Sequence, residues 1–219
     1  MKHLTLADEI VVLMLDDESG AIKPLCASFA NVAVAGGILM ELSLLARIDT
    51  DLTSLYAVDP KPVGDELLDQ ALAEIAAEHP HQGSKSWIRH FAFDKGDLTK
   101  GVLERLVQAG ILRAEERRFL WMFSRRAYPQ NTGREEREAK ARLLAVIFND
   151  EIPSPRDTLL LSLADSSGVL DAILSADELR KASQRIEQIV ALEEIGRAVK
   201  GVMTDISAQL QAAATMQPM

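Results

Sequence analysis

The stretch from Phe29 to Ile48 places the strongest constraint on the fold, because it is apolar along almost its whole length. It is long enough to cross a bilayer, yet a carboxylate such as Glu41 near mid-bilayer costs roughly 2.5 to 3.5 kcal/mol. A helix that is apolar around most of its circumference is best shielded at the centre of a fold. The sequence therefore predicts one largely buried central helix in a soluble protein, with other helices around it.

Polar residues that cap helices precede the other periodic apolar stretches. A Ser, Thr or Asp at such a position accepts a hydrogen bond from a backbone N–H in the first turn. The predicted starts are Thr5, Gly64-Asp65, Ser154 and Ser175, the last of which opens a long helical tail to about Ala213. We therefore predict a mainly α fold, a single-domain helical bundle around a hydrophobic central helix group. The domain is expected to span residues 1–213, with 214–219 as a flexible tail.

A basic, aromatic segment follows the amphipathic helix that ends near Gly110. Large apolar and charged residues from Arg113 to Tyr128 predict an antiparallel β-hairpin that projects from the helical body. Between Lys95 and Arg142, twelve Lys and Arg residues stand against seven Asp and Glu, a local charge of +5 on a chain whose total is −9. A basic face on an acidic body favours a partner that carries phosphate.

The apolar residues of the hairpin are compatible with three roles. They could insert at a bilayer interface while Arg125 and Arg126 bind phosphates, they could pack against a second subunit, or they could follow ordinary core alternation. The candidates for membrane or oligomer contact are Leu120, Trp121, Met122 and Phe123.

Signals of catalysis are missing from the sequence. Cys26 is the single cysteine, so it has no partner for an internal disulfide, and no histidine is placed to act as its base. His79 and His81 stand two apart in a stretch more typical of a solvated loop than of a metal site. No glycine-rich phosphate loop and no Gly-x-Ser-x-Gly elbow is present. We expect no catalytic residue, no metal, no cofactor and no enzymatic activity.

Seven segments follow one another along the chain as a recognisable series. They are LTLADE from Leu4, GGILMEL from Gly36, PVGDELLDQAL from Pro62, Trp87-Ile88, VLERLVQAGIL from Val102, the hairpin to Tyr128-Pro129, and Ser154-Pro155-Arg156. Taken in register, they resemble the Golgi phosphoprotein 3 family. The resemblance covers roughly residues 3 to 200 and implies a mostly helical fold, no catalysis, and peripheral membrane binding through phosphatidylinositol 4-phosphate. It also implies a bacterial member, located in the cytoplasm at the membrane face.

The resemblance also implies where a lipid head group would bind. The phosphate pocket of the family uses one tryptophan and three arginines, which align with Cys26, Ala35, Gly96 and Thr99 of this chain. Each lost guanidinium removes charge-assisted hydrogen bonds worth roughly 1.5 to 3 kcal/mol. We therefore expect attraction to anionic membranes without selectivity for the inositide.

Five basic residues remain as candidates for contact with lipid head groups, because they stand near the lost positions or in the hairpin. They are Arg89, Lys95, Lys100, Arg125 and Arg126. An alternative function is a protein-interaction or self-assembly module, a homo-oligomer held together by the hairpin. A helix followed by a basic hairpin also outlines a winged helix, but Lys100, Arg105 and Gln108 are few side chains for base reading, so no nucleic-acid partner is expected.

Overall fold

The structure is a computed structural model that describes residues 4–51, 53–78, 81–119, 123–149, 152–191 and 193–215. It is 66% helical, so the predicted mainly α class is confirmed. Eleven α-helices lie in the described residues: α1 Leu6–Met14, α2 Pro24–Ala27, α3 Ala30–Leu44, α4 Glu66–Ala77, α5 Ser84–Arg89, α6 Leu98–Gln108, α7 Arg134–Phe148, α8 Pro155–Ser166, α9 Val169–Ile173, α10 Ala176–Val190 and α11 Glu194–Thr215.

Helix α3 is the centre of the fold. It packs against α1, α4, α5, α6, α8 and α11, and most of its side chains are buried. The prediction of one buried central helix is confirmed, but its predicted end at Ile48 is wrong. The helix ends at Leu44 because Ala46 adopts a left-handed φ of 53°, and Ile48 begins the first β-strand. Within the described residues, none of the helices combines the length and the apolar composition that a membrane span requires.

A glycine pair allows neighbouring helices to approach α3 closely. A Cβ atom on Gly37 would lie 2.9 Å from the backbone of Ala7 in α1, and one on Gly36 would lie 2.5 Å from the Val199 side chain of α11. These separations are far below ordinary van der Waals contact. The pair therefore sets how near α1 and α11 come to the central helix.

The predicted capping residues begin the helices as expected. Thr5 and Asp8 form a capping box at α1, and Ser175 and Glu178 form another at α10. The single long tail predicted from Ser175 is wrong, because the chain turns between α10 and α11. The Glu193 carboxylate accepts the backbone N–H of Ile195 at 3.1 Å, and so caps a new helix at that point.

In the part of the chain that the structure describes, two antiparallel hairpins connect the helices. Strands β1 (Ile48–Thr50) and β2 (Leu55–Ala57) form the first. Strands β3 (Glu115–Phe119) and β4 (Phe123–Ala127) form the second, which confirms the hairpin predicted between Arg113 and Tyr128. A π-helical segment, His90–Asp94, joins α5 to the loop before α6. The second hairpin and this segment lie at the two sides of the site described below.

Candidate functional site

The basic hairpin is fixed to the helical body at its base. The backbone N–H of Tyr128 donates to the Gly20 carbonyl at 2.7 Å, and that of Arg113 donates to the Pro129 carbonyl at 2.9 Å. A Cβ atom on Gly20 would lie 2.5 Å from Pro129, so the turn after α1 must be a glycine to admit the hairpin. The residues that flank the two strands are thus held by backbone hydrogen bonds, one to the turn after α1 and one across the base of the hairpin.

The strand register brings the hairpin arginines to neighbouring positions. Arg117 pairs with Arg125, Arg118 with Ser124, and Glu116 with Arg126. Phe123, predicted as a contact residue, begins β4 opposite Phe119. The other three predicted contact residues, Leu120, Trp121 and Met122, lie outside the described residues.

A cavity of about 430 Å³ lies beside the base of the hairpin. Tyr128, the residue that follows β4, forms part of its wall, together with Asn31 of α3, Phe93 of the π-helical segment and Lys100 of α6. Phe93 is 54% exposed, whereas its neighbours Phe91 and Ala92 are buried. The lining is mostly apolar, and Lys100 supplies a cation at its edge.

The polar groups at the start of α6, which face this cavity, are already paired within the chain. The Asn31 side-chain oxygen accepts the Thr99 backbone N–H at 2.9 Å and the Thr99 hydroxyl at 2.7 Å. The Asp97 carboxylate accepts the Lys100 N–H at 3.0 Å. A phosphate entering here would have to displace both acceptors and would meet the negative charge of Asp97.

The four positions that the resemblance aligns with the phosphate pocket of the family supply no cation to this cavity. Cys26, Ala35 and Thr99 are buried, and burial raises the pKa of the Cys26 thiol. Gly96 is exposed in a left-handed turn with φ of 80°, and its carbonyl accepts the Asn31 side-chain N–H at 3.5 Å. No guanidinium from these positions reaches the cavity, because none of the four residues carries one.

The predicted head-group residues of the helical body each contact a different acidic residue. The Arg89 guanidinium lies 2.5 Å from the Asp205 carboxylate of α11, which Lys85 also contacts, and these hydrogen bonds lower the pKa of Asp205. Lys95 contacts Glu74 of α4 at 2.8 Å. Lys100 lies 3.8 Å from Glu104, one helical turn further along α6. Among these three lysine and arginine residues, Lys100 alone lines the cavity beside the hairpin.

A buried ionic network, which the sequence interpretation missed, surrounds the start of α1. Arg105 of α6 contacts Asp8 at 2.6 Å and Asp65, the cap of α4, at 2.9 Å. Its guanidinium also donates to the Thr5 hydroxyl at 3.1 Å. Arg105 therefore links α6 to the starts of both α1 and α4.

A second arginine completes the network on the other side of α1. Arg156 of α8 contacts both Glu9 and Glu41 at 3.1 Å and donates to the Leu4 carbonyl at 2.5 Å. Burial raises the pKa of Glu9, against the opposing influence of Arg156 and Arg142. The acidic residues of the LADE and GGILMEL segments and the arginine of Ser154-Pro155-Arg156 are thus packing partners. A signal was available: Asp8 and Glu9 stand in a helix too apolar to be solvated.

The acidic residues of α7 differ in their surroundings. Arg134 pairs with the exposed Glu138 at 2.6 Å. Glu136 is 6% exposed and lies against the Asp17 carboxyl group, and it accepts a hydrogen bond from the Gln130 side chain at 3.0 Å. Burial and then Asp17 raise the pKa of Glu136. Glu136 is buried because the turn after α1 covers the first turn of α7.

In the described residues, no group of three His, Cys, Asp or Glu side chains is arranged to hold a metal ion. The fold and site define a mainly α domain with a basic hairpin and a neighbouring apolar cavity. The sequence model of the Golgi phosphoprotein 3 (GPP34) family matches residues 6–206. The chain therefore belongs to the Golgi phosphoprotein 3 family.

Proposed function

We propose that this protein is a non-enzymatic peripheral membrane protein that binds anionic lipid surfaces through its basic hairpin. The observation that carries the proposal is the register of β3 and β4, which gathers Arg117, Arg118, Arg125 and Arg126 in a ribbon of ten paired residues. The chain as a whole has a charge of −9. A local basic ribbon on an acidic body orients the molecule towards a polyanion. Family membership supports the same class of partner.

In this proposal, binding depends on the negative surface charge of the membrane and does not select the inositol 4-phosphate group. Selection of a phosphomonoester needs free donors in a shaped pocket, each worth roughly 1.5 to 3 kcal/mol. Asn31 and Asp97 occupy the donors of Thr99 and the backbone N–H of Lys100 at the start of α6. Arginines in a hairpin supply attraction of about 1 kcal/mol each near a charged membrane, without a pocket.

Self-association is the second candidate function. In the described residues, β3 and β4 form a sheet of two strands, each of which is an edge strand. Such edges can pair with the same edge of another copy. Dimerisation through the hairpin would then be measured as a mass of twice 24.0 kDa in sedimentation.

Co-sedimentation with vesicles tests the lipid-binding proposal. Wild-type protein should sediment with phosphatidylserine vesicles and not with neutral phosphatidylcholine vesicles. Binding should weaken steeply as salt rises from about 0.1 M to about 1 M, because the Debye length falls from about 10 Å to about 3 Å. The double variant Arg125→Glu with Arg126→Glu should lose most of the binding.

The matched control reverses an adjacent basic pair elsewhere. Arg180 and Lys181 are exposed on α10, and Arg180 pairs only with Asp177 three residues away among the contacts described. Replacing both by glutamate changes the total charge by the same amount as the hairpin variant. Equal losses in the two variants would mean that overall charge, and not the hairpin, drives binding, and would contradict the proposal.

A further inference from the structure

A cavity of about 610 Å³ lies between α4 and α5, both of which pack against α3. The charged and aromatic residues that line it are Glu74, Glu78, Trp87, Arg89, His90 and Asp94. None of them lines the cavity beside the hairpin. A volume of this size accommodates a small organic molecule. The cavity between α4 and α5 is therefore a candidate site of its own.

Trp87 brings an unpaired hydrogen-bond donor to this cavity. The residue is 3% exposed, and its Nε1 atom is buried without an acceptor among the described residues. The indole ring stacks on Phe91 with ring centroids 5.4 Å apart, so packing fixes its position. A buried tryptophan usually finds an acceptor for its N–H group. A ligand that brings an oxygen atom to Nε1 therefore gains a hydrogen bond that the described chain does not make.

Beside Trp87, basic groups outnumber acidic ones. The Arg89 guanidinium lies 2.5 Å from the Asp205 carboxylate, and the Lys85 ammonium lies 2.8 Å from the same group. Two cations thus share one carboxylate, and Arg89 also lines the cavity. A guanidinium carries five N–H donors, so Arg89 next to the indole N–H favours a ligand carboxylate.

On the side of α4 and the π-helical segment, acidic groups are in excess. Glu74 and Asp94 lie 2.9 and 3.1 Å from the two nitrogens of the His90 ring. Lys95 also contacts Glu74, at 2.8 Å. The Glu78 carboxylate accepts a hydrogen bond from an uncharged amide at 2.8 Å and contacts no basic side chain among the described residues. Since His90 and Lys95 balance at most two of these three carboxylates, this side favours a ligand that carries positive charge.

We infer that this cavity binds a free basic α-amino acid. The ligand carboxylate accepts hydrogen bonds from Trp87 and Arg89, and its α-ammonium group pairs with Glu78. The cationic side chain of the ligand lies towards Asp94, whose side chain is 68% exposed. Three lining carboxylates against one lining guanidinium match a ligand with two positive charges and one negative charge. Binding here is independent of the hairpin, since the cavity shares no lining residue with the one at the hairpin base.

Trp87 itself reports binding of L-arginine, the probe for this site. The chain has two tryptophans, so Trp121→Phe leaves Trp87 as the single indole fluorophore. Its emission should change and saturate as L-arginine is added, and calorimetry on wild-type protein should give the same Kd within about twofold. No saturable response in either measurement up to roughly 10 mM, which detects even millimolar affinity, overturns the inference.

Analogues of arginine test each part of the proposed contact. Agmatine lacks the carboxylate and should bind about tenfold more weakly, because Trp87 and Arg89 lose a charged acceptor. L-Citrulline lacks the side-chain charge and should bind about threefold more weakly, a smaller loss because solvent screens the exposed Asp94. Equal affinity for either analogue and L-arginine overturns the inference. Equal affinity for N-acetyl-L-arginine amide, which has neither α-charge, would indicate an arginine within a peptide and overturns it as well.

Two conservative variants test the protein side of the contact. Glu78→Gln keeps the size of the side chain and removes the partner of the α-ammonium group, so the affinity for L-arginine should fall by about tenfold. Trp87→Phe keeps an aromatic ring and removes the N–H group, and calorimetry should again show weaker binding. Unchanged affinity in either variant overturns the inference.

The matched control is Glu187→Gln. Glu187 is exposed on α10 and does not line this cavity, so the substitution removes the same charge as Glu78→Gln at a distant place. Its affinity for L-arginine should stay within about twofold of wild type. Equal losses in Glu78→Gln and Glu187→Gln would mean that the acidic chain attracts arginine without a site, and would overturn the inference.

Discussion

Arg156 shows how one buried side chain can organise several elements. Its guanidinium contacts Glu9 of α1 and Glu41 of α3, and the side chain is only 15% exposed, so these contacts are largely shielded from solvent. Glu41 in turn accepts the Leu6 backbone N–H at 2.7 Å, one of the unpaired donors at the start of α1. The network thus supplies the hydrogen bonds that water would otherwise give to two buried carboxylates and to the start of α1.

We predict that Arg156→Ala lowers the free energy of unfolding by about 3 to 5 kcal/mol, because it leaves Glu9 and Glu41 buried without their shared partner. Chemical denaturation measures the change. Arg180→Ala is the control, since this residue is 72% exposed in its pair with Asp177, and its loss should cost less than about 1 kcal/mol. Similar losses in the two variants would refute a stabilising role for the network.

Glu136 gives a prediction about pH. Burial and the Asp17 carboxyl raise its pKa above the ordinary 4.5, so the folded state holds a proton that the unfolded state has released. Stability therefore falls as pH rises from about 4.5 through the raised pKa of the folded state. We predict that Glu136→Gln raises the unfolding free energy at pH 7 by about 1 kcal/mol, because an amide can donate to Asp17 and still accept from Gln130.

The stability gain of Glu136→Gln should shrink as the pH is lowered towards 4.5, where the wild-type carboxyl is protonated. Thermal melts of both proteins across this range test the sign. A gain that does not change with pH, or a loss of stability at pH 7, would show that the Asp17–Glu136 contact does not govern the titration.

At the scale of elements, the contact between α1 and α3 depends on the absence of one side chain. We predict that Gly37→Ala destabilises the protein by about 1 to 3 kcal/mol, because the new Cβ would lie 2.9 Å from the Ala7 backbone, which cannot rotate away. Gly101→Ala in α6 is the control. Its Cβ meets no atom within 4 Å, so the better helix propensity of alanine should stabilise the protein by up to about 1 kcal/mol. Equal effects of the two substitutions would contradict close packing at Gly37.

Local signals predicted the elements well and their ends less well. Thr5, Ser154 and Ser175 began helices as predicted, because capping is decided by hydrogen bonds within four residues. The end of α3 and the break before α11 depend on a left-handed Ala46 and on the carboxylate of Glu193, which apolar periodicity does not reveal.

The candidate site was less predictable from sequence than the fold. Nearness in sequence to the lost pocket positions predicts Arg89 and Lys95, yet their partners Asp205 and Glu74 come from distant helices. Phe93 stands in an apolar stretch beside buried Phe91, and only the π-helical geometry separates the exposed ring from the buried one.

Across the whole molecule, charged residues serve two different purposes. The ionic groups near α1 are buried and hold helices together, while the hairpin arginines form a ribbon fixed to the body through Tyr128 and Gly20. At the start of α6, the backbone N–H groups of Thr99 and Lys100 are paired with Asn31 and Asp97. We therefore expect a membrane contact that responds to surface charge and not to the identity of the head group.

The most direct test compares two vesicle compositions, one with phosphatidylinositol 4-phosphate and one with phosphatidylserine, adjusted to the same measured surface potential. We predict that wild-type protein binds both with the same affinity, within about twofold, because the Thr99 and Lys100 backbone N–H groups at the start of α6 are already paired with Asn31 and Asp97. A preference of tenfold or more for the inositide, about 1.4 kcal/mol, would contradict the account and would indicate a phosphate pocket that forms only when lipid is bound.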